Sequence, residues 1–388
     1  MCGGPAHLIT VDREVGLTVV VHPGENMVNA AGPVLAVVGA TGAVGKVILS
    51  VLPLYRYQWS EVRLCAEDAD VGRTFLVAGE ELTVRPLDED FFVGVDVALF
   101  DLPPAVTPRW VEHAVSQGVT VIDNSVTYRR HDGVPLIVPE VNSEEIVNRP
   151  RRIIANPGAT VMTMIDALGA LHKGWGLQSL VVTSFQAASG LGRQGITRLL
   201  DEIDAVAGHR DLAQHPGDIR RLIEHEVGAE SCFPAPLALN VIPFVGDYYG
   251  DGWTSEEAKI RDETRKILGL PDLKVMATCV RVPVISSHSI SVHATFSRPI
   301  ELDRARRALL EAPMVVLLDD PEQREFPTPV DVVGADPRFI GRLRQSPDYP
   351  RSLDFFISGD NLRKGAGLNM LQTAELLARE LSAGSDAE

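Results

Sequence analysis

The chain has 388 residues, of which 45% are hydrophobic and 23% are charged, and its formal net charge is −16 at pH 7. This length predicts two or three domains, each large enough to bury a hydrophobic core. The acidic excess is spread along the chain, which argues against binding to nucleic acid or to an anionic lipid surface.

The hydropathy pattern and the cysteine content indicate the cellular compartment of the protein. No apolar run in the sequence approaches the roughly 18 residues that a membrane-spanning helix needs, and the N-terminus lacks a signal-peptide pattern. The cysteines show neither Cys-x-x-Cys spacing nor a disulfide framework. We therefore expect a cytoplasmic protein with no membrane partner and no metal site.

Apolar strand runs alternate with helix-like stretches in the first part of the chain. From residue 33, a helix is predicted at 46–52 and strands at 34–38, 62–65, 95–100, 119–122 and 152–155. This alternation predicts an α/β domain of the Rossmann type, a doubly wound parallel sheet with helices on both faces. Residues 1–32 precede it as an N-terminal extension, with a strand predicted at 17–21.

The pattern changes near residue 158, where longer predicted strands begin. They lie at 180–186, 277–284 and 288–297, with helices at 194–206 and 255–268. This predicts an α+β domain over 158–360 whose sheet packs one face on helices. A helix at 361–381 is expected to return to the first domain, which then comprises 33–157 and 361–382. The polar tail 383–388 is expected to be disordered.

A glycine-rich turn joins the first predicted strand to the first predicted helix. Backbone N–H groups at such a helix start bind a pyrophosphate, with help from the helix dipole. The alternative is a turn that uses glycine only for tight packing. We predict that this turn binds NAD or NADP through Gly39, Thr41, Gly42, Ala43 and Val44.

Acidic residues follow the second predicted strand, at Glu67, Asp68 and Asp70. An NADP enzyme places Arg or Ser here to bind the ribose phosphate, whereas an acid accepts hydrogen bonds from the ribose hydroxyls of NAD. The acids also suit a solvated loop. Both interpretations stay open.

Seven segments occur in an order typical of one protein family. They are the glycine turn, 121–125 with Arg129, 138–142, 185–190, 240–243, 278–284 with His288, and 359–365. Together they resemble the aspartate-semialdehyde dehydrogenase family over residues 34–381. The resemblance implies a dinucleotide-binding first domain, a substrate and dimerisation second domain, and a homodimer.

The resemblance also implies an activity of amino-acid biosynthesis. This activity is the NADPH-dependent reduction of β-aspartyl phosphate, or the reverse phosphorolysis of the semialdehyde, through an enzyme thioester. His288 is implied as the acid/base and Gln186 as the residue that orients the intermediate. The small acidic ligand is implied to bind Arg129, Asn124, Arg281, Glu256 and Lys259. Further cofactor contacts are implied at Ser189, Gly190 and Asn361.

These residues also have ordinary structural interpretations. His288 stands beside serines and suits a hydrogen-bonded strand histidine, and Arg281 alternates with valines as a solvent-facing residue would. Glu256 and Lys259 are three residues apart, which is typical of a surface ion pair worth about 0.2–0.5 kcal/mol.

The main departure from the family pattern is the nucleophile. Where the family pattern Asn-Pro-Asn-Cys would supply sulfur, this sequence has Asn-Pro-Gly-Ala ending at Ala159. Loss of a covalent nucleophile lowers turnover about a million-fold, or about 8 kcal/mol of barrier. Thr160 is the nearest hydroxyl, and Cys279 is interpreted as a buried structural cysteine. Because Gly158 changes as well, the alteration is interpreted as natural.

Two further departures concern the cofactor. Asp101 and two prolines replace a small Ser/Gly-rich loop, and neither proline nor an aspartate favours a phosphate. With the acids at 67–70, this predicts weak or lost nucleotide binding. Three hypotheses follow: an enzyme with altered chemistry, a non-catalytic ligand sensor or assembly partner, and a conventional NAD(P)-dependent dehydrogenase with another nucleophile.

Overall fold

The computed structural model describes residues 32–66 and 68–385 and contains two large β-sheets. The strand predicted at 17–21 and the acid at Glu67 lie outside the described residues. Within the described ranges, no helix combines the length and the apolar character required to cross a membrane.

The first sheet has seven strands. They are β1 (Val34–Val38), β2 (Glu61–Cys65), β3 (Thr74–Val77), β4 (Glu80–Arg85), β5 (Val97–Phe100), β6 (Thr120–Asp123) and β7 (Ile153–Ala155). Their order is β3-β4-β2-β1-β5-β6-β7, and every pair except β3–β4 is parallel. The predicted Rossmann-type sheet is confirmed. Its strand order reverses between β1 and β5, where such sheets bind ligands at their carboxyl edge.

The second sheet is mixed. Its strands are β8 (Leu177–Gln186), β11 (Lys274–Arg281), β12 (His288–Phe296), β13 (Val315–Leu317), β14 (Arg338–Arg344) and β15 (Ser352–Gly359), in the order β11-β8-β12-β15-β14-β13. A separate hairpin pairs β9 (Tyr248–Gly250) with β10 (Trp253–Thr254). The predicted second sheet-containing domain is thus present.

The described residues form ten α-helices. They are α1 (Ala43–Val51), α2 (Thr107–Ser116), α3 (Pro139–Asn142), α4 (Ala159–Trp175), α5 (Gly192–Val206), α6 (Ile219–Glu226), α7 (Ser255–Leu268), α8 (Leu302–Leu310), α9 (Pro329–Val332) and α10 (Leu368–Ser385). The apolar helix α4 packs on β12 and β15 and against α7 and α8. α10 joins the core of the first sheet through Leu371 and Leu377.

Helix α7 has the bounds predicted from its sequence because both ends carry strong local signals. Thr254 and Glu257 form a reciprocal capping box at its start, and Gly269 ends it with φ +65°. Acids in the first turn and bases in the last turn complement the helix dipole. This helix carries Glu256 and Lys259 to the site.

Other predicted boundaries were wrong. β11 ends at Arg281 rather than at 284, because Pro283 has no N–H to donate to a neighbouring strand. The last helix starts at Leu368, after a π-helical turn at Arg363–Gly367, rather than at 361. It also continues to Ser385, so residues 383–385 are helical instead of disordered. The domain boundaries themselves stay a prediction.

Candidate active site

The glycine turn lies at the crevice between β1 and β5. Gly39 has φ +88°, and a Cβ there would be 2.3 Å from the carbonyl oxygen of Asp101. A Cβ on Gly45 would be 2.3 Å from the carbonyl oxygen of Gly39. Tight packing therefore requires these two glycines. Gly42 caps α1, whose first turn, with Ala43 and Val44, presents N–H groups that have no acceptor within the helix.

Asp70 binds the glycine turn directly. Thr41 Oγ1 donates to Asp70 Oδ2 at 2.6 Å, and Arg73 pairs with Asp70 Oδ1 at 2.5 Å. The hydrogen bonds from Thr41 and Arg73 hold the pKa of the Asp70 carboxyl below its usual value. Asp70 is thus engaged by two partners, and Arg73 adds a cation that the sequence interpretation missed. The choice between NAD and NADP stays open at this loop.

Ala159 is the first residue of α4, after the N-cap Gly158. The N–H of Gly158 donates to Glu263 Oε2 at 2.7 Å, and a Cβ on Gly158 would lie 2.8 Å from Arg129 Nη1. A Cβ on Gly365 would lie 3.2 Å from the Cβ of Ala159. The start of α4 is therefore closely packed, and Gly158 leaves the space that Arg129 and Glu263 occupy.

Arg129 lies near the start of α4 but is already paired. Its Nη1 is 3.2 Å from Glu263 Oε1, and its Nη2 donates to the carbonyl oxygen of Asn124 at 2.7 Å. Glu263 is 1% exposed. Glu263 was not predicted as a site residue, although it lies four residues after Lys259 and seven after Glu256, on one face of α7. Any anion that binds Arg129 shares it with this carboxylate.

The carboxylate of Glu256 contacts three other side chains of the predicted site region. It accepts hydrogen bonds from Thr160 Oγ1 at 2.8 Å and from Gln186 Nε2 at 3.5 Å, and Lys259 Nζ is 2.5 Å away. Burial opposes ionisation, but Lys259 and the Thr160 hydroxyl prevail and lower the pKa of Glu256 to about 2. Such a carboxylate is too weak a base to activate Thr160 as a nucleophile. The Glu256–Lys259 pair is partly buried, unlike a surface ion pair.

His288 and Arg281 meet at Ala187. The N–H of Ala187 donates to His288 Nδ1 at 3.2 Å, and Arg281 Nη1 donates to the carbonyl oxygen of Ala187 at 2.6 Å. A Cβ on Gly190 would lie 2.6 Å from Arg281 Nη1. Arg281 is 5% exposed, so it does not face solvent.

The protonation state of His288 follows from these contacts. Burial, followed by the positive charge of Arg281, lowers the pKa of His288 to about 3. The ring is therefore neutral near pH 7, and because Nδ1 accepts from a backbone N–H, its proton is on Nε2. In this state, the Nε2–H of His288 is the ring group that can donate a hydrogen bond.

Ser189 and Asn361 are hydrogen-bonded to each other. Ser189 Oγ donates to Asn361 Oδ1 at 3.1 Å, and the N–H of Ser287 donates to the same oxygen at 2.9 Å. Both side chains are 3% exposed. They connect the segment before α5 to the residue preceding His288. Among the described residues, no group of three His, Cys, Asp or Glu side chains is arranged to hold a metal ion.

Family comparisons agree with this architecture. The family described as "Semialdehyde dehydrogenase, NAD binding domain" matches residues 34–149, and "Semialdehyde dehydrogenase, dimerisation domain" matches residues 168–364. The aspartate-semialdehyde dehydrogenase of Streptomyces akiyoshiensis is 41% identical over 349 residues, which cover 89% of this chain and 99% of the relative. That of Aquifex aeolicus is 36% identical over 348 residues, covering 89% and 98%.

Solved structures show the same relationship. Aspartate semialdehyde dehydrogenase II from Vibrio cholerae, complexed with ASA, superposes with a TM-score of 0.81 at 33% identity and covers 90% of this chain and 98% of its own. The NADP-bound enzyme of Candida albicans shares the fold, with a TM-score of 0.67 at 22% identity over 90% and 99% of the two chains. The two matched domains define the semialdehyde dehydrogenase class. Within it, the chain belongs to the aspartate-semialdehyde dehydrogenase family, as the sequence segments predicted.

Proposed function

We propose that the protein binds a nicotinamide dinucleotide and an aspartate-derived aldehyde or acyl phosphate, and that its chemistry proceeds without a thioester at residue 159. The observation that carries this proposal is Ala159 itself, which begins α4 with no reactive atom while Thr160 beside it contacts Glu256. Gln186 contacts the same carboxylate. A set of binding groups thus persists next to a position without a nucleophile.

Recognition of the ligand is assigned to two charged groups. Arg281 is buried and spends one Nη1 hydrogen bond on the carbonyl oxygen of Ala187, and the rest of its guanidinium group suits a substrate carboxylate. The Glu256 carboxylate, ionised because of Lys259, suits a substrate ammonium group. The complex of the Vibrio cholerae relative with ASA supports a ligand of this class.

The chemistry assigned to the site uses a hydrogen-bond donor in place of covalent catalysis. His288 Nε2–H would donate to the carbonyl oxygen of the ligand and stabilise the negative charge that develops there when a nucleophile or hydride adds. Bound NAD or NADP would supply the acceptor or donor of hydride. The NAD-binding-domain match and the NADP complex of the Candida albicans relative support this cofactor class.

The two other hypotheses have weaker support. Against the conventional one, burial raises the pKa of the Cys279 thiol to about 12, and Glu256 is a weak base for Thr160. The non-catalytic one is consistent with the pairing of Arg129 with Glu263, which reduces the positive charge offered to a phosphate. Restoring a cysteine at residue 159 separates all three hypotheses.

The test is the restoration of sulfur by Ala159→Cys. Wild type and variant are incubated with aspartate semialdehyde, phosphate and NAD or NADP; intact-mass spectrometry then detects acyl adducts, and absorbance detects reduced nucleotide. We expect no adduct on the wild type. The variant should form an acyl adduct and should gain phosphorolytic turnover of about a thousand-fold or more.

Ala159→Ser is the matched control, since it adds an atom of similar size but no thiolate, and it should remain without adduct. An adduct on another side chain of the wild type would overturn the proposal and support a conventional dehydrogenase. If calorimetry finds that the wild type binds neither nucleotide nor semialdehyde, and the cysteine variant is inactive, the protein is non-catalytic.

We also propose a homodimer that forms through the outer face of the second sheet. Met276 on β11 and Val181 on β8 are register partners, and they are 57% and 49% exposed. On the same sheet, the rings of Phe185 and Phe356 are 6.1 Å apart. This partly apolar face and the dimerisation-domain match support the interface.

A further inference from the structure

Asp101 occupies the crevice in which the glycine turn lies. It directly follows β5, and its N–H donates to the carbonyl oxygen of Val38 at 3.0 Å. Its carboxyl oxygen Oδ2 is 3.5 Å from the position that a Cβ on Gly42 would take. Gly42 is the N-cap of α1, the helix start at which a dinucleotide pyrophosphate binds in this type of sheet. A carboxyl group therefore stands where the ligand brings negative charge.

A chain of amide groups fixes the orientation of Asp101. Asn124 Nδ2 donates to Asp101 Oδ1 at 2.8 Å, and Asn156 Nδ2 donates to Asn124 Oδ1 at 2.9 Å. Asn369 Nδ2 donates to Asn156 Oδ1 at 2.7 Å. Lys364 Nζ begins the chain by donating to Asn369 Oδ1 at 2.9 Å.

All four hydrogen bonds of this amide chain run in one direction, from a buried ammonium group toward Asp101. Each asparagine accepts through its oxygen and donates through its nitrogen, so no amide can flip without losing a partner. Oδ1 of Asp101 is thereby occupied. Oδ2 accepts no hydrogen bond from the described residues and stays directed at the glycine turn.

The charged groups around Asp101 do not neutralise it. β6 contributes Asp123, which repels Asp101 and is buried. α1 contributes Lys46, whose positive charge helps to lower the pKa of Asp70. Arg129, beside Asn124, is paired with Glu263. Burial raises the pKa of the Asp101 carboxyl despite the hydrogen bond from Asn124.

We propose that Asp101 determines the affinity for the dinucleotide by presenting Oδ2 to its pyrophosphate, and that binding takes up one proton from solvent onto this oxygen. The protonated carboxyl donates a hydrogen bond to a phosphate oxygen, whereas the carboxylate repels it. This inference rests on the proposed function, because it requires a dinucleotide at the glycine turn. It gives Asp101, a departure from the family pattern, a specific role in the strength of cofactor binding.

The test is calorimetric titration of the whole protein with NAD and with NADP between about pH 5 and pH 8, in buffers of different ionisation enthalpy. Wild-type affinity should fall as the pH rises above the pKa of free Asp101, by up to about ten-fold per pH unit, with uptake of up to about one proton. Asp101→Asn mimics the neutral carboxyl. At the upper end of this pH range, the Asp101→Asn variant should bind the dinucleotide at least about ten-fold more tightly than the wild type does. Its affinity should not depend on pH.

Asp101→Ser also removes the charge and should behave like the asparagine variant. Agreement between the two variants shows that the change in affinity does not come from misfolding of one of them. Glu81→Gln is the matched control, because it removes an exposed carboxylate from β4 and should titrate like the wild type. Tight, pH-independent binding by the wild type would overturn the inference and leave the proposed function intact. If the wild type and both Asp101 variants bind neither nucleotide, the cofactor part of the proposed function fails, and the inference fails with it.

Discussion

His288 shows how a single buried residue couples the site to stability. Its ring is 3% exposed and neutral, with a pKa of about 3 in the folded protein. An unfolded chain restores a histidine pKa near 6.5. Between these two values, the unfolded state binds a proton that the folded state does not. The free energy of unfolding therefore decreases as the pH falls below about 6.5.

We expect His288→Gln to remove this part of the pH dependence. Between about pH 7 and pH 5, wild-type stability should lose up to about 1.4 kcal/mol more per pH unit than the stability of the variant, which is the value for one proton. Urea unfolding at several pH values measures the difference. The exposed His215, changed to Gln, serves as control and should keep the wild-type slope. Equal slopes for wild type and His288→Gln would contradict the buried neutral ring.

Glycines in two of the helices have opposite roles. Gly45 lies in α1, where a Cβ would be 2.3 Å from the carbonyl oxygen of Gly39 and 2.6 Å from that of Ala40. Gly174 lies near the end of α4, and a Cβ there would meet no described atom within 4 Å. The first glycine lets a helix approach the glycine turn, whereas the second only adds flexibility to a helix interior.

Substitution by alanine should therefore change stability in opposite directions. Gly45→Ala forces the glycine turn to move, and we expect a loss of about 1–3 kcal/mol in the free energy of unfolding, together with weaker nucleotide binding. Gly174→Ala should gain about 0.5–1 kcal/mol from helix propensity. Chemical denaturation of both variants gives the two signs, and a stable Gly45→Ala variant would argue against the close packing at the turn.

The outer face of the second sheet is the surface proposed for self-association. A lysine at Val181 places a charge in the middle of that face, where two copies would bring two like charges together. We expect Val181→Lys to weaken the dimer by about a hundred-fold or more. Sedimentation equilibrium or light scattering over a concentration series measures the dissociation constant.

Val147→Lys provides the matched control, because Val147 is 73% exposed and lies outside the second sheet. It should dimerise as the wild type does. A wild type that is monomeric at all concentrations, or a Val181→Lys variant with unchanged affinity, would show that another surface or no surface is used.

Local sequence signals were sufficient for much of the architecture. The run at 34–38 followed by the glycine turn predicted β1 and the start of a Rossmann-type sheet, because parallel strands are apolar on both faces and the turn has few geometric solutions. The capping box and Gly269 placed α7 because helix ends are decided by neighbours within a few residues. The start of α10 was missed because the π-helical turn depends on Gly365 and Gly367 meeting Ala159 and Val47, which are remote in sequence.

Residue types and their order along the chain were sufficient to identify the family, the alternation of strands and helices in the first domain and the absence of a thiol at Ala159. Folding was needed to bring Glu263 to Arg129, Asn124 to Asp101, and the N–H of Ala187 to His288 Nδ1. These contacts join residues that are remote in the sequence. The protonation state of a side chain and its unpaired hydrogen-bonding groups depend on burial and on such partners, so they follow from folding and not from the position of the residue along the chain.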